Sequence, residues 1–136
     1  MTWTEEMPKP GDIIRIKVKF YYHYGIFADN NTVIQFGLPN NVEMPPEKVL
    51  VVQTDISEFL VDGAMLETAR FDRKEKAQRR SPKETVEYAT SKIGTGGYHI
   101  LHNNCEHFVS ECVFGEARSS FVDSVRNSIR KKIGRG

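Results

Sequence analysis

Asn103-Asn104-Cys105-Glu106-His107-Phe108, with His23 about eighty residues upstream, contains the minimum parts of a thiol nucleophile. A free thiol has a pKa of about 8.5 and is mostly protonated at neutral pH. It becomes a strong nucleophile at a helix N-terminus or beside an imidazole. The apolar spacing of Cys105, Phe108, Val109 and Cys112 predicts one face of a helix beginning near Asn103 or Asn104. That places Cys105 in the first turn, where unpaired N–H groups and the positive end of the macrodipole stabilise a thiolate. His23 sits on a predicted strand among Tyr21, Tyr22 and Tyr24, aromatic walls that could hold an imidazole away from water. Gln35 lies on the returning strand. A hairpin centred on Asp29 to Asn31 puts residues 23 and 35 nearly opposite, so the amide can reach the ring and fix its tautomer.

The elements that must position these groups fall into two halves. Pro10-Gly11-Asp12 reads as a turn, followed by a strand alternating apolar and charged residues from Ile14 to Phe20. Strands follow over Tyr22 to Ala28, Thr32 to Phe36 and Val49 to Val52, with a weaker one over Ile56 to Val61. Asp29-Asn30-Asn31 tolerates left-handed backbone angles and forms the hairpin turn. Gly37 to Asn41 is a loop, and Pro45-Pro46 breaks any continuing structure. Arg73 to Arg80 reads as a solvated loop or helix end. Ser81-Pro82-Lys83-Glu84 carries a capping box with proline at the first helical position, predicting a helix to about Ile93 that Gly94 stops. The expectation is an α+β protein, an antiparallel sheet packed against helices, in a single domain over residues 1–136.

Composition narrows the function. The chain has 136 residues, 39% hydrophobic, with 19 Lys+Arg against 18 Asp+Glu, so no overall field favours nucleic acid. No apolar run is long enough to span a bilayer, and the polar start does not resemble a signal peptide. Cys105 and Cys112 are separated by about 10.5 Å of helical rise, too far to bridge, and two unpaired thiols point to the cytoplasm. Between Glu116 and Gly136 six basic residues face two acidic ones, while Phe121, Val125, Ile129 and Ile133 recur every four residues. A basic amphipathic helix over 118–133 would either lie on an anionic membrane, peripherally, or pack on its own domain.

The residues carry a resemblance. Pro10-Gly11-Asp12-Ile13-Ile14, His23-Tyr24-Gly25-Ile26-Phe27, Val33-Ile34-Gln35-Phe36 and Asn103-Asn104-Cys105-Glu106-His107-Phe108-Val109 stand in the order and spacing of the lecithin:retinol acyltransferase-like family. That family is a circularly permuted branch of the NlpC/P60 papain-like superfamily. Permutation puts the histidine strand before the cysteine helix. The matching core runs from about 10 to 113. The resemblance implies that Cys105 attacks an ester carbonyl and forms an acyl-thioester. The acyl group then passes to water, an amine or an alcohol, with His23 as base and then acid. It implies a lipid or acyl-ester substrate and no cofactor. Tyr22, Tyr24 and Asn104 are candidate substrate contacts. The departure is Gln35, where animal members usually carry a second histidine. The chain also lacks the C-terminal hydrophobic anchor of animal relatives, which suggests a soluble member.

The plain alternatives are that Cys105 is a buried structural thiol and His23 part of a tyrosine-rich surface strand. Cys112 reads as core and His107 as a packing or hydrogen-bonding residue. A zinc set of His102, Cys105, His107 and Cys112 does not converge on one helix face. Two other functions use the same parts: a cysteine peptidase or amidase of the NlpC/P60 kind, and a non-catalytic binding module that keeps the fold.

Overall fold

The structure, a computed structural model, describes residues 1–19, 21–39, 44–100 and 103–115. Six strands form one antiparallel sheet: β1 (Thr2–Thr4), β2 (Ile13–Val18), β3 (Tyr21–Asp29), β4 (Thr32–Phe36), β5 (Val51–Asp55) and β6 (Glu67–Arg70). Their order across the sheet is β1-β6-β2-β3-β4-β5. Three α-helices follow, α1 (Arg73–Gln78), α2 (Pro82–Ser91) and α3 (Cys105–Phe114). This is the expected α+β class.

β3 is central, and both its faces are covered. Alternation sends Tyr24, Ile26 and Ala28 to one face, where they meet Ile34, Phe36 and the Phe108, Val109, Cys112 and Val113 face of α3. His23, Gly25 and Phe27 turn to the other. There Ile14, Ile16, Phe27 and Val33 form a second core closed by Phe59, which is fully buried. Cys112 is 0% exposed and belongs to the core, as its place on the helix face predicts.

Several elements differ from the sequence reading. The strand expected at Val49 to Val52 begins two residues later, because Leu50 gives its carbonyl to Gly37 before the ladder starts. Ile56 to Val61 is not a strand; Asp55 caps a short 3-10 turn at Ile56–Glu58 that drops Phe59 into the second core. β1 and β6 carried too little periodicity to be seen. The Arg73 to Arg80 stretch forms α1, capped reciprocally by Asp72 and Glu75, and its end is not simply solvated. The Arg79 guanidinium donates to the Gly11 carbonyl at 2.9 Å and to Thr85 Oγ1 at 3.2 Å. Arg80 donates to the carbonyls of Glu111 and Cys112 near the C-terminal end of α3 and stacks on Tyr88. Two arginines therefore tie the Gly11 turn, α2 and α3 together, satisfying carbonyls that a helix end leaves open. The amphipathic stretch over 118–133 lies outside the described residues.

The Pro10-Gly11-Asp12 turn has a steric reason. Gly11 has φ +90°, and a Cβ there would lie 2.5 Å from Pro82 Cα at the start of α2. Gly94 has a similar φ of +86° with nothing within 4 Å of its virtual Cβ. Alanine at Gly94 is therefore expected to cost about 1 kcal/mol for the backbone angle alone. Alanine at Gly11 adds a backbone collision of the overpacking kind, about 1–3 kcal/mol more. Urea unfolding of the two variants should show Gly11→Ala clearly the less stable; equal midpoints would remove close packing of α2 as the reason for this glycine.

Candidate functional site

Asn104 is the N-cap of α3. Its Oδ1 accepts from the N–H groups of Glu106 and His107, both at 3.0 Å, and its Nδ2 donates to the Ile100 carbonyl at 2.8 Å. His107 closes the box by accepting the Asn104 N–H on Nδ1 at 3.1 Å. His107 is thus a hydrogen-bonding residue, as expected, and Asn104 holds the helix start. Upstream, His99 and Asn103 exchange backbone hydrogen bonds at 2.9 and 2.8 Å, and Asn103 Nδ2 donates to the Gly97 carbonyl. The loop itself is tied to β5 through Gly94 to Val51 and Val51 to Thr95. Cys105 is then the first residue of α3, 8% exposed.

The sheet places the thiol. Phe27 exchanges backbone bonds with Gly11 and Asp12 on the β2 side, so even-numbered residues of β3 turn their N–H groups toward β4. Pairing of β3 with β4 ends at Gly25 opposite Gln35. Tyr24 is one step beyond, and its N–H lies near enough to the Cys105 sulfur to favour the thiolate.

His23 is adjacent to Tyr24 in sequence and leans to the other face, 4% exposed, its ring 5.5 Å from that of Phe59. The expected hairpin register needs correction. Gln35 lies opposite Gly25, not His23. The turn is the two residues Asn30 and Asn31, and a bulge between Phe27 and Asp29 shifts the ladder. Residues 23 and 35 still share a face as diagonal neighbours, and His23 Nε2 meets Gln35 Oε1 at 2.8 Å. An amide oxygen only accepts, so Nε2 carries the proton and Nδ1 keeps the lone pair. Gln35 Nε2 in turn donates to Thr54 Oγ1 on β5 at 2.8 Å. Among the described residues no hydrogen bond joins the Cys105 sulfur to the His23 ring; the ring lies on the Phe59 side of β3 and the thiol on the Tyr24 side.

The aromatic surroundings also need correction. Tyr22 and Tyr24 face away from the imidazole. Tyr22 stacks on the Arg15 guanidinium at 3.8 Å, and Tyr24 is buried against Trp3. Phe59 walls His23 instead. Tyr21 and Tyr98 are close enough to feel the charge of the Cys105 thiolate. Burial first, then Cys105, pushes the Tyr98 phenol up to about 12. Tyr98 packs edge-on against Phe36 at 5.1 Å, and Tyr21 reaches the Pro39 carbonyl. The sequence reading missed Thr54, Phe59 and Tyr98. Only Thr54 left a usable signal, a polar residue on the strand following Gln35.

Electrostatically, burial decides both groups. It lifts the Cys105 thiol to about 11, against the opposing pull of the Tyr24 N–H and the N–H groups of residues 105 and 106. The thiolate-stabilising helix terminus expected from sequence is present but outweighed. Burial likewise lowers His23 to about 4, the bond to Gln35 only partly offsetting it. The resting pair is a thiol and a neutral imidazole.

The folded His23 ring binds a proton less tightly than the unfolded one. Its contribution to stability is therefore present above about pH 6.5 and lost as pH falls toward 4. Chemical denaturation at pH 7 and pH 4.5 should show a loss in the wild type larger than in His23→Leu by on the order of 2 kcal/mol. Equal losses would mean the ring is hydrated in the folded protein.

The profile of the family described as lecithin retinol acyltransferase matches residues 6–118. A lecithin retinol acyltransferase of Mus musculus is 28% identical, over 88% of this chain and 62% of its own. The phospholipase A and acyltransferase 3 of Homo sapiens is 32% identical, over 87% of this chain and 78% of its own. Homo sapiens phospholipase A and acyltransferase 4 is 26% identical, over 93% and 82%. The chain thus spans less than two thirds of the length of the mouse relative.

Proposed function

Since the chain belongs to the lecithin retinol acyltransferase family, we propose that it is a thiol-dependent acyltransferase or phospholipase-type hydrolase acting on lipid esters through Cys105. The observation that carries this reading is the pair of neighbouring placements. Cys105 heads α3 beside the Tyr24 peptide, and the ring of the preceding residue, His23, meets Gln35 through Nε2 with Nδ1 left basic.

In the proposed cycle the Cys105 thiol gives its proton to His23 Nδ1 as sulfur attacks the ester carbonyl. The tetrahedral adduct collapses to an acyl-thioester, and the leaving alkoxide takes the proton back from Nδ1. His23 then removes a proton from water, an alcohol or an amine, and that nucleophile displaces the thiolate, which is reprotonated. Charge separates only during attack, because the resting pair is neutral. Gln35 stabilises the transient imidazolium through its amide dipole.

The site's aromatic neighbours, with Tyr22, Tyr24 and Asn104 retained as candidate contacts, suit an acyl chain and a phospholipid donor. The permuted NlpC/P60 arrangement, a single domain and a cytoplasmic setting belong to the same proposal. So does peripheral contact of residues 118–133 with an anionic membrane, which would bring the thiol to its substrate. Among the described residues no helix is long and apolar enough to cross a membrane.

Incubation with phosphatidylcholine vesicles should add one acyl mass to Cys105, read by intact and peptide mass spectrometry. Cys105→Ala should abolish both adduct and turnover, and His23→Ala should slow turnover by about 10²–10⁴-fold. The neutral pair predicts kcat/KM flat from about pH 6 to 9 and falling as the pH drops through about 4, where His23 is protonated. Turnover that survives Cys105→Ala, or an adduct formed only from peptide substrates, would sink the lipid-ester reading.

A further inference from the structure

Cys105 heads α3 at one end of the sheet. Val18 pairs with Tyr21 where β2 turns into β3, and Phe36 pairs with Val51 where β4 leads to β5. Because β3 and β4 run antiparallel, both junctions lie at the same end. The segment before α3 joins them there. Gly94 donates to the Val51 carbonyl, the Thr95 carbonyl accepts from the Val51 N–H, and Asn104 Nδ2 holds the Ile100 carbonyl beside Cys105.

The surface of that end is apolar. Tyr21, Leu50, Ile93 and Ile100 are all exposed, Leu50 to 42% and Ile100 to 61%. A single exposed isoleucine is ordinary; several on the segments that frame one buried thiol mark a contact surface. A Cβ at Gly96 would lie 3.3 Å from Leu50 Cδ2, so the segment that carries Ile93 and Ile100 runs along the Leu50 side chain. Besides Met44 on the β4–β5 connection, the other exposed large apolar residues flank β1 and β6, on the far side of the sheet.

The charges on these segments are mostly of one sign. Lys19, Lys48 and Lys92 each stand within two residues of one of those side chains, against Glu47 alone among the described residues. None of the three lysines is in an ion pair among the described residues, and Lys92 lies over the Tyr88 ring at 5.3 Å. A lysine next to an apolar side chain suits a phospholipid surface. Its ammonium reaches the phosphates while its neighbour sinks toward the acyl chains. A second copy of this chain fits less well, because a two-fold contact would set lysines against lysines.

We propose that this end of the molecule is a lipid-docking face. Leu50, Ile93 and Ile100 enter an anionic phospholipid surface, Tyr21 sits at headgroup level, and the three lysines reach the phosphates. An ester is then presented to Cys105 without leaving the bilayer. This rests on the lipid-ester reading of the site and adds to it a surface separate from residues 118–133.

Binding is read by co-flotation of the full chain with mixed phosphatidylcholine and phosphatidylglycerol vesicles, in the Cys105→Ala background so that turnover does not alter the lipid. Combining Leu50→Ser, Ile93→Ser and Ile100→Ser should weaken binding by about thirtyfold or more. With Cys105 restored, the same triple variant should hydrolyse a water-soluble short-chain ester at the wild-type rate. In a second measurement, Leu50→Trp should gain emission that brominated acyl chains quench beyond the wild-type Trp3 signal. Wild-type affinity in the triple variant, or an unquenched Leu50→Trp on bound protein, would overturn the docking face and leave 118–133 as the contact. Self-association of the wild type without vesicles, lost in the triple variant, would overturn it in favour of a second copy. Turnover that survives Cys105→Ala, with binding still lost in the triple variant, would sink the thiol reading and leave the docking face standing.

Discussion

The site depends on where β4 stops pairing with β3. Up to Gly25 the central strand has a neighbour on each side, and its N–H groups are satisfied by the ladder. One residue later the N–H of Tyr24 still points to where β4 would have continued, in the buried interior, where an unpaired donor is costly. The sulfur of Cys105 lies near enough for that N–H to favour its thiolate. The start of α3 thus sits where β4 leaves β3, its Phe108, Val109, Cys112 and Val113 packed on that face of the sheet. The Asn104–His107 box, the His99–Asn103 bridge and the arginine bonds at the other end tie down both ends of α3.

Burial has a second consequence, on charge. The same apolar packing that orders Cys105 and His23 removes the water that would solvate a thiolate or an imidazolium. The helix terminus and the Tyr24 N–H favour the thiolate, yet desolvation exceeds them. A group stabilised at rest would be a weaker nucleophile, since nucleophilicity falls as pKa falls. A buried thiol that ionises only as it attacks keeps its intrinsic reactivity and relies on a base held in the correct tautomer. In the proposed cycle that shifts the weight from Cys105 onto the orientation of His23.

How much of this was legible in the sequence follows from the range of each interaction. The strands from Ile13 to Phe36 and the helix at Cys105 announce themselves by local periodicity and capping residues, and the motif around Cys105 points to the family. The register at Gln35 does not: the two-residue turn at Asn30 and Asn31 alone would set Gln35 opposite Ile26, and a bulge near Ala28 that leaves no mark on the apolar pattern moves it to Gly25, onto the face of His23. Nor does the true wall of the imidazole. Tyr22 and Tyr24 stand beside His23 in sequence, but a strand sends its immediate neighbours to the opposite face. Phe59, thirty-six positions on, reaches the ring because a short turn folds it back over the sheet. The raised thiol pKa was equally hidden, since desolvation depends on every chain segment that covers a group.

Glutamine at position 35 suits a neutral resting pair better than a titratable partner would. A carboxylate there would bring a charge into a site that excludes water, and would raise the imidazole's affinity for protons by direct attraction. A second histidine would bring a tautomer of its own to be fixed. The amide carries no charge and does not titrate, so it leaves the base neutral across the physiological range while still accepting from Nε2. Its one deficiency is the equivalence in shape of its two ends. The orientation with Oε1 on the ring is the one that also suits an imidazolium, whose nitrogens both carry N–H, and the outer end of the amide meets the Thr54 hydroxyl on the next strand.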